Sequence, residues 1–153
     1  MGTDALEFCR LTSEWWESLA HLFAVLRQRG EDEHFHPHPL TAEQASMLAQ
    51  YSGKDLYYVA VSGTAVAAYG MLRGWDEGYQ VPSLGIAIHP DARGTGLAST
   101  FMQFLHAAAR LRGATRVRLK VNSENTAARR LYQSLGYRFE DSDGGEIVGF
   151  VDL

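Results

Sequence analysis

The stretch from His89 to Ser99, HPDARGTGLAS, is the feature that most restricts how this chain folds. It separates an apolar run, SLGIAI, from an amphipathic one, TFMQFLHAAARL, and carries two closely spaced glycines, Gly94 and Gly96. This pattern is typical of a strand that turns sharply into a helix, since glycine adopts backbone conformations that other residues disfavour. The N–H groups of such a turn converge at the positive end of the following helix, where an anion, most often phosphate, is favoured. The stretch therefore predicts a strand, a turn and a helix, with backbone amides at the turn that are suited to an anion such as phosphate.

The glycine turn lacks the signatures of two common phosphate-binding loops. No Gly-Lys-Ser/Thr follows it, as a P-loop requires, and its glycines do not have the G-x-G-x-x-G spacing of dinucleotide-binding folds. A lone G-x-G is also found in ordinary connections between a strand and a helix. Features elsewhere in the chain are needed to distinguish an anion-binding turn from a simple connection between a strand and a helix.

Strand and helix patterns alternate along the whole chain. Strands are predicted at 5–11, in LYYVAVS, AVAAYGMLR and VPSLGIAIH, at 114–121, and in YRFED and EIVGFVD, and helices at 13–29, 41–51, 97–112 and 125–135. Gly30 is expected to end the first helix, and Thr41 with Gln44 has capping-box spacing at the start of the second. The order β-α-α-β-β-β-α-β-α-β-β predicts one α/β domain over 1–153 with a mixed sheet.

Composition restricts the partners of this domain. The net charge is −4 and the 14 Lys and Arg residues follow no single face, so nucleic acid is not an expected partner. The one cysteine, Cys9, excludes a disulfide within the chain and is expected to be a small buried residue. No signal-peptide pattern is present, and no apolar run approaches the ~18 residues that span a bilayer. We therefore expect a cytoplasmic protein with no membrane partner.

A second motif lies in VNSENTAARRLYQSLGYRFE, after the fifth predicted strand. Its pattern is Asn-x-x-Ala-x-x-Leu-Tyr-x-x-x-Gly-Tyr, from Asn125 to Tyr137. Together with Arg-x-x-Gly-x-Ala, from Arg93 to Ala98, it resembles the GCN5-related N-acetyltransferase (GNAT) family. The two motifs occur in the family's order, separated by one helix and one strand, and the predicted element order matches the family over nearly the whole chain. The resemblance implies a GNAT-like fold with a splayed central strand pair and acetyl-coenzyme A as co-substrate.

The resemblance assigns the cofactor to residues around the glycine turn. The pyrophosphate would lie on the backbone amides of Gly94, Thr95, Gly96, Leu97 and Ala98. In the family the strand before the turn splays away from the next parallel strand and the pantetheine arm lies in the gap, so Ile86 and Ile88 would offer main-chain groups. One of those amides would polarise the thioester carbonyl.

Two further side chains have alternative roles. Arg93 either adds charge near the phosphates or bonds backbone carbonyls within its own turn. Asn125 would reach the pantetheine arm by analogy with the family, and it would also cap the helix that begins there.

Acetyl transfer to an amine requires an acid for the departing thiolate and a base for the ammonium. Tyr132 matches the family's tyrosine beside the thioester sulfur, and a phenol is able to protonate a thiolate. Many relatives carry a glutamate early in the splayed strand, but QVPSLGIAI contains no carboxylate. Candidate bases are therefore Asp76 and Glu77 in the preceding loop, or one histidine of a group of three: His34, His36 and His38.

The resemblance implies that the acceptor binds between three loops, EDEHFHPHPL, GWDEGYQVPS and DSDGGE. All three are acidic and the first two carry aromatic residues, which suits a cationic or polyhydroxylated amine bound in part by His34, His36, Trp75 and Tyr79. We expect no metal, because no acid or cysteine is spaced with the histidines as a ligand set.

The expected acceptor is a small amine, such as an amino sugar, polyamine or amino acid. The stretch HPHPLT faintly favours an alternative, the N-terminus of a protein, as in ribosomal-protein alanine acetyltransferases. The missing strand glutamate leaves a non-catalytic acetyl-coenzyme A sensor as a further alternative. A homodimer is compatible with the resemblance, since dimers are frequent in the family.

Overall fold

The computed structural model describes residues 5–140 and 145–153, and within them the elements follow the predicted order. The strands are β1 (Leu6–Arg10), β2 (Leu56–Ser62), β3 (Ala65–Arg73), β4 (Ser83–Ile88), β5 (Arg116–Asn122), β6 (Arg138–Glu140) and β7 (Glu146–Asp152). The helices are α1 (Trp16–Gln28), α2 (Ala42–Ala49), α3 (Leu97–Leu111) and α4 (Thr126–Ser134). Single 3-10 turns at Glu31–Glu33 and Pro90–Ala92 lie in predicted loops.

The strands form one mixed sheet in the order β1-β2-β3-β4-β5-β7-β6. Neighbouring strands are antiparallel except β4 and β5, which are parallel and pair at one position, Ser83 with Arg118. The predicted α/β fold with a splayed central strand pair is thereby confirmed.

Helix boundaries follow the predicted local signals. Gly30 lies just after α1 with φ of 72°, a conformation that glycine adopts without strain. The Thr41 side chain accepts a hydrogen bond from the Gln44 backbone N–H at 3.1 Å and caps α2. Both terminal signals read from the sequence are confirmed.

The helices cover the two faces of the sheet and form two cores. Helices α1 and α2 pack against one face, where Tyr69 and Met71 of β3 are buried. Helix α3, with part of α4, packs against the other face, where Leu84 of β4 and Leu119 of β5 are buried. Because successive strand residues point to opposite faces, β4 and β5 contribute to both sides of the sheet.

Some predictions need correction or lie beyond the described residues. Cys9 is half-buried on β1, because it lies at the edge of the core under α1, so the expectation that it is fully buried is wrong. Part of the predicted acidic loop DSDGGE, at 141–144, is outside the described residues. In the described part of the chain, no helix combines the length and apolar character needed to cross a membrane.

Candidate active site between β4 and β5

The gap between β4 and β5 exposes main-chain groups of β4. The His89 N–H donates to the Ala67 carbonyl at 2.8 Å, which fixes the alternation of hydrogen bonds between β3 and β4. By that alternation, the N–H and C=O of Ile86 and Ile88 point away from β3, towards β5. Since β5 pairs with β4 only at Ser83, the two isoleucines have no strand partner on that side.

The glycine turn ends in an open array of amides. Gly94 and Gly96 have φ of 77° and 84°, and a Cβ atom at either position would meet no atom within 4 Å. The first N–H that bonds within α3 is that of Thr100, to the Gly96 carbonyl, so the preceding amides of the helix have no helical partner. The Thr95 hydroxyl donates to the Ala92 carbonyl at 2.6 Å and fixes the turn. These amides and the helix dipole favour an anion in front of the turn.

A cavity of about 580 Å³, which we call the turn cavity, connects the glycine turn with the gap. It is lined by the predicted residues Ile86, Ile88, Arg93, Gly94, Gly96, Leu97, Ala98, Asn125 and Tyr132. Thr95 is the one predicted cofactor residue that does not line it, because its side chain is turned back onto Ala92. Residues far apart in the sequence are thus assembled around one cavity.

Arg93 bonds a backbone carbonyl, as one of its two predicted roles requires, while its predicted contact with the phosphates stays a prediction. Its guanidinium donates to the Ile88 carbonyl at 3.0 and 3.2 Å and to the Glu31 carboxylate at 2.5 Å. Burial acts to raise the pKa of Glu31, but hydrogen bonds from Arg93 and Arg29 outweigh it, so the pKa lies below its usual value. Arg93 therefore links the end of β4 to the 3-10 turn after α1, and its charge is partly neutralised there.

Tyr132 lies on α4 with its ring 5.8 Å from the ring of Tyr137. Burial raises the pKa of its hydroxyl to about 12, so the group stays protonated at neutral pH. Within the described residues its hydroxyl has no hydrogen-bond partner. A protonated phenol that lines the cavity without a partner is available to donate to a bound group.

Asn125 is the N-cap of α4, and its side chain accepts from the Ala128 N–H at 3.2 Å. The capping role is therefore observed. Since Asn125 also lines the turn cavity, its predicted contact with the pantetheine arm stays a prediction.

A second cavity, of about 710 Å³, lies beside the first and is called here the loop cavity. Among the predicted acceptor and base residues, it is lined by His34, His36, Glu77 and Tyr79. The two cavities share lining residues at the gap: His34, Phe35, Leu84, Gly85 and Lys120. A molecule in the turn cavity and another in the loop cavity would therefore meet beside β4.

Trp75 and Asp76 were expected at the site, but neither lines these two cavities. The Trp75 ring packs against the core under α3 and lies 4.9 Å from the Arg112 guanidinium. The Asp76 carboxylate accepts from the Tyr51 hydroxyl and from the Lys54 N–H. The Asp55 carboxylate accepts the N–H groups of three successive residues from 74 to 76 and fixes the start of the loop.

His38 is also placed away from the cavities. Its ring contacts the buried Tyr69 hydroxyl at 2.9 Å and the Pro39 carbonyl at 2.8 Å, and burial lowers its pKa. His34 instead contacts the Asn122 side chain at 3.2 Å across the mouth of the gap. Across residues 5–140 and 145–153, His, Cys, Asp and Glu side chains form no group of three suited to a metal ion.

Sequence reasoning missed three cationic residues that line the loop cavity, Arg73 of β3 and Arg118 and Lys120 of β5. Glu146, the last residue of the predicted acceptor loop DSDGGE, lines the cavity as well. The alternating pattern RVRLKVN contained a signal for two of the cationic residues, since it puts Arg118 and Lys120 on one face of their strand. Nothing in that pattern indicated which other strands would lie beside them.

Comparison with known proteins places this geometry in a family. The model of the Acetyltransferase (GNAT) family matches residues 12–137. Acetyltransferase SG1711 of Sodalis glossinidius is 33% identical over 89 residues, which are 58% of this chain and 61% of that protein. The match thus spans less than two thirds of that relative's length.

Two solved structures share the fold over almost the whole chain. A GCN5-related N-acetyltransferase from Kribbella flavida has a TM-score of 0.80 and 24% identity, covering 97% of this chain and 98% of its own. The PaiA N-acetyltransferase of Thermoplasma acidophilum, solved in complex with coenzyme A, has a TM-score of 0.79 and 15% identity, covering 97% and 99%. At these identities the likeness establishes the fold, and the family follows from the sequence match: the chain belongs to the GNAT family of acetyltransferases.

Proposed function

We propose that this protein transfers the acetyl group of acetyl-coenzyme A to the primary amine of a small molecule. The observation that carries the proposal is the meeting of two cavities at the β4–β5 gap, one with the glycine turn and Tyr132, the other with titratable side chains. Direct transfer requires both substrates to be bound at once with their reacting atoms adjacent. The turn cavity is assigned to the cofactor and the loop cavity to the acceptor.

The residues of the turn cavity fit acetyl-coenzyme A. The open amides at the start of α3 suit a diphosphate, because each N–H is able to donate to a phosphate oxygen. The N–H and C=O of Ile86 and the N–H of Ile88 suit the amide groups of the pantetheine arm. Acetyl-coenzyme A supplies an activated acetyl group at the end of that arm, beside Tyr132.

The chemistry needs one bond to form and one to break. The amine nitrogen forms a bond to the acetyl carbon while the carbon–sulfur bond breaks. A backbone N–H of β4 donates to the carbonyl oxygen as negative charge develops there. Tyr132 donates its proton to the departing sulfur, and a base removes a proton from the amine.

Glu77 is the proposed base, acting directly or through water. It lines the loop cavity, as do His34, His36 and Glu146, whereas the Asp76 carboxylate is held by Tyr51 and Lys54. The pH profile of kcat/KM in Glu77→Gln and Glu146→Gln tests the choice. The fall of kcat/KM at low pH reflects protonation of the base. If this fall is lost only in Glu77→Gln, Glu77 is supported as the base; if it is lost only in Glu146→Gln, the base is Glu146.

The experiment that tests the function is release of coenzyme A from acetyl-coenzyme A, followed with a thiol reagent. The acceptor panel contains amino sugars, polyamines, amino acids and peptides with free N-termini. Turnover with a small amine supports the proposal. Turnover with peptides alone would contradict it and identify the N-terminus of a protein as the acceptor. Tight binding of acetyl-coenzyme A without turnover of any acceptor would instead indicate a sensor.

A further inference from the structure

Two arginines and a serine form one row across three neighbouring strands. Arg73 of β3 pairs with Ser83 of β4, and Ser83 pairs with Arg118 of β5. Paired residues in adjacent strands point to the same face of a sheet, about 5 Å apart. The two arginine side chains therefore project on the same side of the sheet, with a single small residue between them.

Both arginines are half-buried and anchored without a counter-ion. Arg73 donates to the Pro37 carbonyl at 2.8 Å, and Arg118 donates to the Ser83 hydroxyl at 3.3 Å. Neither forms an ion pair with a carboxylate of the described residues. Arg116, on the same face of β5, is different, because it is paired with Asp152 at 3.0 Å and does not line the loop cavity.

Among the residues that the structure describes, cations outnumber carboxylates around the loop cavity. Arg73, Arg118 and Lys120 line it, against Glu77 and Glu146. Counted over Arg, Lys, Asp and Glu side chains, the described lining carries a net positive charge, although the chain as a whole has a charge of −4. This lining disfavours a polyamine, whereas an anionic group would meet two guanidinium groups on one face of the sheet, with only Ser83 between their positions.

We propose that the acceptor is an amino acid whose carboxylate is bound by Arg73 and Arg118 while its amine faces the β4–β5 gap. This inference rests on the proposed function and narrows its acceptor class. A planar carboxylate accepts paired hydrogen bonds from the fork of a guanidinium group. Lys120, which lines both cavities, adds positive charge between that carboxylate and the reacting amine.

The first experiment compares matched acceptors that differ only in the anionic group. Coenzyme A release is measured with α-amino and ω-amino acids, with their carboxamides, with decarboxylated amines such as cadaverine, and with an amino sugar phosphate. We expect kcat/KM for an amino acid to exceed that of its amide by on the order of tenfold or more. Equal use of acid and amide, or preference for the amino sugar phosphate, would overturn the carboxylate assignment.

The second experiment uses Arg118→Gln, with Arg116→Gln as the matched control on the same strand face. Arg118→Gln is expected to raise KM for the amino acid on the order of tenfold, to change KM for the amide little, and to leave coenzyme A affinity unaltered. Arg116→Gln is expected to change none of the three. An equal rise of KM for acid and amide in Arg118→Gln would reduce Arg118 to a structural role and contradict the proposal.

A binding measurement separates failure of this inference from failure of the proposed function. Amino acids and their amides are titrated into the protein saturated with coenzyme A, and heat or thermal shift is recorded. Selective binding of the amino acid over its amide, without turnover, would support the carboxylate site and contradict the proposed acetyltransferase activity. Turnover of amines that lack a carboxylate, with no binding of the acid, would support the proposed activity and remove the carboxylate site. Absence of both binding and turnover across the panel would overturn the carboxylate site and the proposed activity together.

Discussion

The turn cavity and the loop cavity adjoin each other but are built from different parts of the chain. Backbone groups dominate the first, namely the amides after Gly96 and the groups of Ile86 and Ile88 that have no strand partner. Side chains dominate the second, with Arg73 and Arg118 among them. Such a backbone surface is retained through many side-chain substitutions, whereas a side-chain surface changes with each one. This difference suits a cofactor shared by a family and an acceptor that differs among its members.

The strongest test of this division is Tyr132→Phe, a side-chain change inside the backbone-built cavity. Loss of the phenolic proton donor is expected to lower kcat by about 100-fold while coenzyme A affinity is retained. Because burial raises the pKa of Tyr132 to about 12, the wild-type kcat should show no loss from Tyr132 deprotonation up to pH 10. Tyr58→Phe is the control, since Tyr58 packs against Phe104 and lines neither cavity. Unchanged kcat in Tyr132→Phe would show that another group protonates the sulfur.

The role of the glycine-turn backbone in binding coenzyme A is tested by Gly96→Ala, with Gly113→Ala as the matched control. Both glycines have positive φ, 84° and 99°, and both have open space where a Cβ would lie. A left-handed conformation costs alanine ~1–2 kcal/mol, so both variants should lose similar unfolding free energy. Only Gly96→Ala should also lose coenzyme A affinity, by about tenfold in calorimetry. Equal affinities in the two variants would exclude the glycine turn as the phosphate site.

A smaller effect separates capping from binding at Asn125. Asn125→Ala and Thr41→Ala each remove an N-cap hydrogen bond and should each lower the unfolding free energy by ~1 kcal/mol. Asn125 lines the turn cavity and Thr41 does not, so only Asn125→Ala is expected to weaken coenzyme A binding, by a few-fold. Denaturant titration and calorimetry measure the two quantities. Unchanged coenzyme A affinity in Asn125→Ala would leave Asn125 with capping alone.

The smallest predicted effect concerns the ion pair at the edge of the turn cavity. The pKa of Glu31 lies below its usual value of 4.5 in the folded protein, so its contribution to stability is present above that pH and is lost as the pH falls through the folded pKa. The bridge is partly exposed, so Arg93→Gln should cost no more than ~0.5 kcal/mol at pH 7. The difference from wild type should shrink as the pH falls below 4.5, and a difference that stays constant with pH would assign the effect to the Ile88 contact.

Some of the site was predictable because its signals are local. The capping of α2 by Thr41, the end of α1 at Gly30 and the two positive-φ glycines follow from residue types whose backbone preferences need no tertiary context. Trp75 and Asp76 were expected at the site but line neither cavity, because the Trp75 ring packs on the core under α3 and the Asp76 carboxylate is held by Tyr51 and Lys54. A loop's composition gives its polarity but does not give its direction.

The sequence by itself determined the order of strands and helices, the glycine turn and the tyrosine on α4, since these depend on periodicity and on contacts between residues close in the chain. The tertiary structure alone decided which charged side chains of the described residues line the loop cavity. The loops of this acidic chain predicted a negative site, but pairing of β3, β4 and β5 brings Arg73 and Arg118 into one row. Register between strands is a long-range property, because it depends on which distant segments pair, and it determines which side chains meet.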